Sequence, residues 1–124
     1  MADTDPRQWI FREVDTALTC PVYQGGAVPD PTPARPFAVV RFGNRMSTIP
    51  TACRLSIMVW VHDDPGSYLF IDAALKALRT AFREQGNDNN IYQTRWLEDS
   101  EDLSDDARGT IVKYSRYELI HTEH

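Results

Sequence analysis

The sequence predicts one α+β domain in which two helices pack on one face of a four-stranded, mainly antiparallel sheet. A chain of 124 residues, 42% of them apolar, has the length and the core-forming content of a single domain. Two segments carry apolar residues at helical spacing, and four have the alternation or β-branched content of strands. Their order along residues 1–124 is α-β-β-α-β-β, for which a helical layer over one sheet face is the natural packing.

The first helix is predicted over residues 5–18. Pro6 suits the first turn of a helix, because that turn does not use the N–H that proline lacks. Ile10, Val14 and Leu18 recur at a spacing of four and form an apolar stripe along one side. We therefore expect this helix to bury the stripe against the sheet.

Two strands are predicted in the next third of the chain. Residues 21–36 contain five prolines and two glycines, which exclude a helix and indicate an extended loop. A strand over 37–42 follows, and then a polar connection over 43–53. The clearest strand covers 54–62, because apolar side chains alternate along one of its faces. That face carries Leu55, Ile57, Val59 and Val61.

The second helix is predicted to start in the acidic and Pro-Gly segment at residues 63–66 and to run to about residue 85. Its apolar side chains follow spacings of three and four, which is typical of a helix laid on a sheet. They are Ile71, Leu75, Leu78 and Phe82, and the opposite face carries Asp72, Lys76, Arg79 and Arg83.

The last third is predicted to contain two strands, over 91–97 and 110–121, separated by a strongly acidic segment. Six of the nine residues in 98–106 are acidic, so we expect a solvated loop. The order of its acids does not match a calcium-binding loop. A further hypothesis makes the segment an electrostatic surface in an assembly that DNA passes. The candidate residues for that surface are Glu101, Asp102, Asp105 and Asp106.

The composition argues against extensive binding of nucleic acid and against a membrane-spanning helix. The chain has 18 acidic and 13 basic residues, a net charge of −5, whereas proteins that hold nucleic acid usually have a basic excess. The longest apolar stretch, 55–61, is far shorter than the roughly 20 residues that a membrane helix needs. We expect Cys20 and Cys53 to be free thiols.

No motif in the sequence indicates an enzyme, a metal site or a cofactor. The run from His62 to Asp64 is explained by a strand end followed by a helix cap. Two histidines and a glutamate lie at the C-terminus, where chain ends rarely hold converging metal ligands. Neither a nucleophile elbow nor a glycine-rich phosphate loop is present.

The predicted sheet face away from the helices indicates a protein partner. It carries Met58 and Trp60, and some of the set Tyr114 and Tyr117 adds aromatic surface from the last strand. A small monomer rarely exposes that much aromatic area.

In the order of its elements and the residue types within them, the chain resembles the tail terminator, or tail completion, proteins of long-tailed, non-contractile bacteriophages. A short first helix ends near Val22-Tyr23, and a Pro/Gly-rich stretch leads to a proline-led strand at 36–40. A polar segment then precedes the strand 55–62, which ends in Trp-Val-His. A long helix with alanines, a strand, an acidic loop and a terminal strand complete the order.

This resemblance implies a structural role in the virion and no catalytic residues. Such proteins form a ring, commonly a hexamer, on the last ring of the tail tube. They stop tube growth and join the tail to the head or neck, and DNA passes through the pore without specific binding. The implied location is the head-proximal end of the tail, after assembly in the host cytoplasm. We expect subunit or partner contacts at Trp60, at Arg45 and Met46 in the 43–53 connection, and at Arg79 and Arg83.

Besides a cellular interaction adaptor, two alternatives remain open. One is another head–tail connector or minor virion protein, which has a similar size and composition. The other belongs to a different class, a small dimeric α+β enzyme or ligand-binding domain with a pocket between helices and sheet. For that alternative, Tyr114, His62 and Arg41 are the polar groups to test.

Overall fold

A computed structural model shows an α+β fold with two helices and a mixed sheet of six strands; it describes residues 6–25, 34–49, 52–66, 68–85 and 92–122. The elements are α1 (Pro6–Ala17), β1 (Val22–Gln24), β2 (Phe37–Ile49), β3 (Ala52–Asp63), α2 (Leu69–Gln85), β4 (Tyr92–Asp99), β5 (Leu103–Asp105) and β6 (Thr110–Thr122).

The strands follow the spatial order β1-β2-β3-β6-β4, and β5 pairs with β6 beside this path. All pairs are antiparallel except β1 with β2, which run parallel. The predicted four-stranded antiparallel sheet is therefore wrong in its strand count and incomplete in its directions. The two additional strands have three residues each, which is too short to display a period of two in the sequence.

Both helices bury their apolar stripes against one side of the sheet. Ile10 and Val14 of α1 and Leu75 and Leu78 of α2 are almost fully buried, in the same core cluster as Ile57 of β3. The alternation predicted along 54–62 is confirmed, because Leu55, Ile57, Val59 and Val61 all belong to this cluster. We call the opposite side of the sheet the open face.

Three predicted loops contain strand, and the first is 21–36, which includes β1. The polar connection 43–53 is largely a hairpin, since β2 continues to Ile49 and β3 begins at Ala52. The sequence of this segment has no alternation of apolar and polar residues that would predict a strand. Its backbone is held as strand by pairing with β3. The acidic segment 98–106 is likewise not a loop throughout, because β4 extends to Asp99 and β5 lies within the segment.

The turn between β5 and β6 shows how the acidic segment is ordered. Asp105 pairs with Thr110 across a four-residue turn, and its carbonyl and carboxylate both accept a hydrogen bond from the backbone N–H of Arg108, at 3.2 Å. Gly109 has a φ of 67°, a left-handed conformation that suits glycine. The turn therefore folds β5 back onto β6, at the open face.

Candidate functional site

The open face carries a groove that crosses four strands. Its volume is about 540 Å³, within the usual range of ligand pockets, roughly 300–1,000 Å³. Val39 of β2, His62 of β3 and Val112 of β6 form its buried floor. The remaining lining residues are Arg41, Trp60, Leu103, Ser104, Asp105, Asp106 and Arg108. We call this feature the open-face groove.

Strand register explains why these residues meet. Trp60 lies opposite Val39 on one side and opposite Tyr114 on the other. The rings of Trp60 and Tyr114 are 4.6 Å apart, centroid to centroid, at an interplanar angle of 47°. Because alternate residues of a strand share a face, Arg41 is the diagonal neighbour of Trp60 on the same surface.

His62 is the titratable group in the floor of the groove. Its side chain is 5% exposed, its Nδ1 lies 2.9 Å from Oγ1 of Thr110, and its ring stacks on Phe37 at 4.6 Å. Burial lowers its pKa from 6.5 to about 4; Arg108 adds to the lowering and Asp105 opposes it. The imidazole is therefore neutral near pH 7, and its stacking on Phe37 and its bond to Thr110 give it a structural place in the floor.

Charges of both signs lie at the rim of the groove. Nε of Arg108 is 3.9 Å from a carboxylate oxygen of Asp105, and its guanidinium lies 5.9 Å from the centre of the Phe37 ring. Asp106 is exposed in the turn after β5. Arg41 is exposed on β2 and makes no ion pair within the described part of the chain.

A ladder of ion pairs occupies the neighbouring part of the open face. Glu118 of β6 lies between Arg54 of β3, at 3.6 Å, and Arg95 of β4, at 3.8 Å. Arg116 of β6 contacts Glu98 of β4 at 2.8 Å. The open face thus divides into a groove with an apolar floor and a charged region.

Of the sequence-predicted contact residues whose side chains are described, Trp60 lies in the groove and Arg79 does not. Arg79 is used within the chain, because it donates a hydrogen bond to Asp99 and lies over the ring of Trp96 at 5.4 Å. Arg45 and Met46 pair with Leu55 and Arg54 through the backbone of β2, and Arg83 belongs to α2. The side chains of these last three, Arg45, Met46 and Arg83, lie outside the described part.

The acidic candidates have different surroundings. Asp105 and Asp106 line the open-face groove. Asp102 contacts Lys113 at 3.6 Å, and Lys113 also contacts Asp72 of α2 at 2.8 Å. Glu101 is exposed.

Asp99 organises a polar cluster under α2 that the sequence did not indicate. Its carboxylate accepts hydrogen bonds from Arg79 and Ser115, and from Nε1 of Trp96 at 3.0 Å. The cluster connects the helix, the β4 edge and the central strand β6, so it holds α2 against the sheet.

The ligand-binding alternative placed a pocket with His62 and Arg41 between helices and sheet, whereas the pocket that these two residues line is on the opposite side of the sheet. Tyr114 is outside its lining and contacts it through Trp60. Leu103, Asp105 and Arg108 were missed as lining residues because they reach the groove only through the unpredicted strand β5 and the turn that follows it.

Within the described ranges, no group of three or more His, Cys, Asp or Glu side chains is placed to hold a metal ion. No helix of the described part is long and apolar enough to cross a membrane. No protein-family model matches the chain, and no curated protein matches it either. The class that the structure shows is an α+β protein whose described helices pack on one side of a mixed sheet, with a groove on the other side.

Proposed function

We propose that the chain is a structural virion subunit of the tail-terminator type, which assembles as a homo-oligomeric ring of six at the head-proximal end of a phage tail tube. The observation that carries this proposal is the open face, which neither described helix covers and in which Trp60 is only half buried. An aromatic side chain in a groove on an otherwise polar surface is a common centre for a protein contact.

A ring needs two unlike contact surfaces on each copy of the chain, and the open face offers such a pair. The open face joins an apolar groove to a charged ladder, so it presents two unlike surfaces. Contacts between unlike surfaces repeat head to tail and close into a ring when the rotation allows it. The net charge of −5 suits a channel that DNA passes without being held.

The proposed partners are the tail tube protein below the ring and a head–tail connector or neck protein above it. Light scattering on the purified chain is expected to give an oligomer, and electron microscopy is expected to show rings. Purified tail tubes should bind these rings at one end only. Binding to connectors but never to tubes would identify a neck protein, the second virion alternative.

Trp60→Ala is the variant that tests the open face. We expect it to weaken self-association by about tenfold or more, because a central aromatic contact commonly contributes over 2 kcal/mol. Lys76→Ala, an exposed change on α2, is the matched control and should leave the mass unchanged. A chain that stays monomeric near 1 mM, alone and with tail tubes, would contradict the proposal.

The groove also favours a second candidate, a small ligand-binding domain or enzyme. His62 and Arg41 both line it, and its volume suits a small molecule. A compact monomer or dimer whose Trp60 fluorescence responds to a metabolite panel would support this candidate. A ring whose Trp60 is shielded from quenchers would oppose it.

A further inference from the structure

A small cavity lies at the edge of the sheet, at the point where strand β1 ends. Its volume is about 180 Å³, below the roughly 300–1,000 Å³ of pockets for drug-sized ligands, so it suits a single small group. Arg7 of α1 and Arg41 of β2 both line it. The other described lining residues are Gln24, Gly25, Val40 and Phe42. We call this feature the edge cavity.

The charge of the edge cavity differs from that of the chain as a whole. The chain carries a net charge of −5, whereas the described lining contains two guanidinium groups and no carboxylate. In the open-face groove, by contrast, Asp105 and Asp106 lie beside the arginines. Arginine presents its N–H donors in a planar fork that matches the oxygens of a phosphate group. The edge cavity therefore favours an anion.

An aromatic ring orients Arg7. The central carbon of its guanidinium lies over the ring of Phe42, 5.0 Å from the ring centre. Such a contact uses the face of the guanidinium, whereas hydrogen bonds use the N–H groups in its plane. Packing on Phe42 therefore holds Arg7 at the cavity without occupying the plane of its donors.

Gly25 makes room for Arg41 on the other side of the cavity. A Cβ at position 25 would lie 2.9 Å from Cγ of Arg41 and 3.6 Å from its Nη1. Carbon atoms in ordinary contact are about 3.5–4.0 Å apart, so a side chain at position 25 would displace the arginine. The exposed guanidinium of Arg41 makes no ion pair within the described ranges.

The backbone of β2 directs a further donor to this edge. The carbonyl of Val40 accepts a hydrogen bond from the N–H of Gly25, at 2.8 Å, so the polar groups of Val40 face β1. Alternate residues of a strand direct their N–H groups to the same side, so the N–H of Phe42 faces this edge as well. Pairing of β1 with β2 ends at Gln24 and Val40, and the described ladder does not use this N–H.

We propose that the edge cavity binds a tetrahedral oxyanion, a phosphate group that is either the free ion or the terminal group of a small phosphorylated molecule. Arg7 and Arg41 donate charge-assisted hydrogen bonds to its oxygens, and the N–H of Phe42 donates a third. The site is separate from the proposed ring contact, because Arg7, Gln24 and Phe42 are not among the residues that line the open-face groove.

A phosphate titration followed by NMR at the backbone amides of Gly25 and Phe42 tests the site. Inorganic phosphate is expected to give saturable shifts at both amides. Arg7→Gln and Arg41→Gln should each weaken phosphate binding by about tenfold or more, because each removes a charge-assisted contact. Gly25→Ala should weaken it by about tenfold with no change in charge, because the added methyl group displaces Arg41.

Arg12→Gln is the matched control, because Arg12 is another exposed arginine of α1 and lies outside the described lining. It should leave the phosphate affinity unchanged. Urea unfolding establishes that each variant is folded. Light scattering in phosphate-free buffer records self-association separately, and Arg7→Gln should have the oligomer mass of the unmodified chain.

A second probe, adenosine monophosphate, identifies the source of the phosphate group. Inorganic phosphate that binds at least as tightly assigns the cavity to the free ion, whereas tighter binding of the monophosphate assigns it to a phosphorylated small molecule. Acetate that binds as tightly as phosphate would overturn the proposal. Unchanged phosphate affinity in both arginine variants, or the absence of a saturable shift at either amide, would overturn it too.

These outcomes are independent of the proposed ring. A chain that forms no oligomer and still binds phosphate through Arg7 and Arg41 contradicts the proposed function and supports the edge cavity. Rings that form from a chain without phosphate affinity do the reverse.

Discussion

The imidazole of His62 makes the fold sensitive to mild acid. Since burial lowers its pKa from 6.5 to about 4, the unfolded chain binds a proton in this interval that the folded chain does not. The stabilisation is fully present above pH 6.5 and is lost as pH falls toward 4. Between pH 6.5 and 5 we expect a loss of about 2 kcal/mol from this residue, measured by urea unfolding.

His62→Gln isolates this effect, because glutamine does not titrate and can still hydrogen-bond Thr110. Carboxylates contribute equally to both proteins, so the difference between their pH profiles belongs to the imidazole. Equal losses in the two proteins between pH 6.5 and 5 would show that His62 titrates normally in the folded state.

The hydroxyl of Tyr117 is the clearest unfavourable group in the core. It is buried outside hydrogen-bond geometry with every described residue; burial raises the pKa of the phenol, and the neighbouring Ser115 hydroxyl opposes that rise. Its ring packs edge-on against Phe82, at 4.9 Å. Removing an unpaired buried hydroxyl while keeping the ring should stabilise, so Tyr117→Phe is expected to raise the free energy of unfolding by about 1 kcal/mol.

Tyr114→Phe, on the half-buried partner of Trp60, should change the free energy of unfolding by less than about 0.5 kcal/mol. Thermal and urea unfolding of both variants provide the comparison. A clear destabilisation in Tyr117→Phe would mean that the Tyr117 hydroxyl donates a hydrogen bond to the oxygen of Ser115, whose own proton is donated to Asp99.

At the level of elements, the sequence predicted the long helices and strands and missed the short ones. Apolar residues that recur every three or four positions, such as Ile71, Leu75 and Leu78, are enough to predict α2. A strand such as β5, with three residues, has no repeat, and β1 is ordered only by its parallel pairing with β2. The start of α2 was placed three to six residues early, because Pro and Gly at 65–66 form a turn ahead of Leu69.

The attachment of α2 to the sheet depends on Asp99. Asp99→Ala removes the acceptor of Arg79, Ser115 and Trp96 together and leaves a half-buried guanidinium without its partner. We expect a loss of about 2–3 kcal/mol in unfolding free energy. Hydrogen exchange should show the loosened amides in α2 and β4.

Glu98→Ala is the matched control on the preceding residue of the same strand. Its ion pair with Arg116 is exposed, so it should contribute under about 1 kcal/mol. Similar losses of unfolding free energy in the two variants would mean that any change in strand β4 destabilises the fold, and that the Asp99 cluster has no special contribution.

At the level of the whole molecule, the site was less predictable than the fold. Trp60 was predicted from its place on the second strand face, because a period of two identifies that face. Strand order decides which other residues reach it, and here β6 brings Val112 while β5 adds Leu103 and Asp105. Long-range pairing of this kind leaves no local pattern in the chain.

Charge is the whole-molecule property that bears on the proposed passage of DNA. Replacing Glu101, Asp102, Asp105 and Asp106 by their amides removes four negative charges. If the proposed rings still assemble with these amides, two of which line the open-face groove, we expect them to retain duplex DNA at low salt and to release it near 0.15 M salt, because screening weakens phosphate contacts. Gel mobility and light scattering measure retention and assembly.

A variant with the same charge change elsewhere is the control. It replaces Asp15, Asp64, Asp72 and Glu98 by their amides. Equal DNA retention in the two variants would assign the effect to net charge. No change in either variant would remove the role of the acidic segment.

The unequal ends of the sheet bear on unwanted polymerisation. At one end, β1 offers three residues, too few to template a further strand. At the other end, β4 has eight residues, but charges at Arg95 and Glu98 and a break in pairing beside Leu97 disrupt a regular edge. Both edges therefore oppose the extension of one copy's backbone ladder by another, so the proposed self-assembly through side chains would meet little competition from amyloid-like stacking.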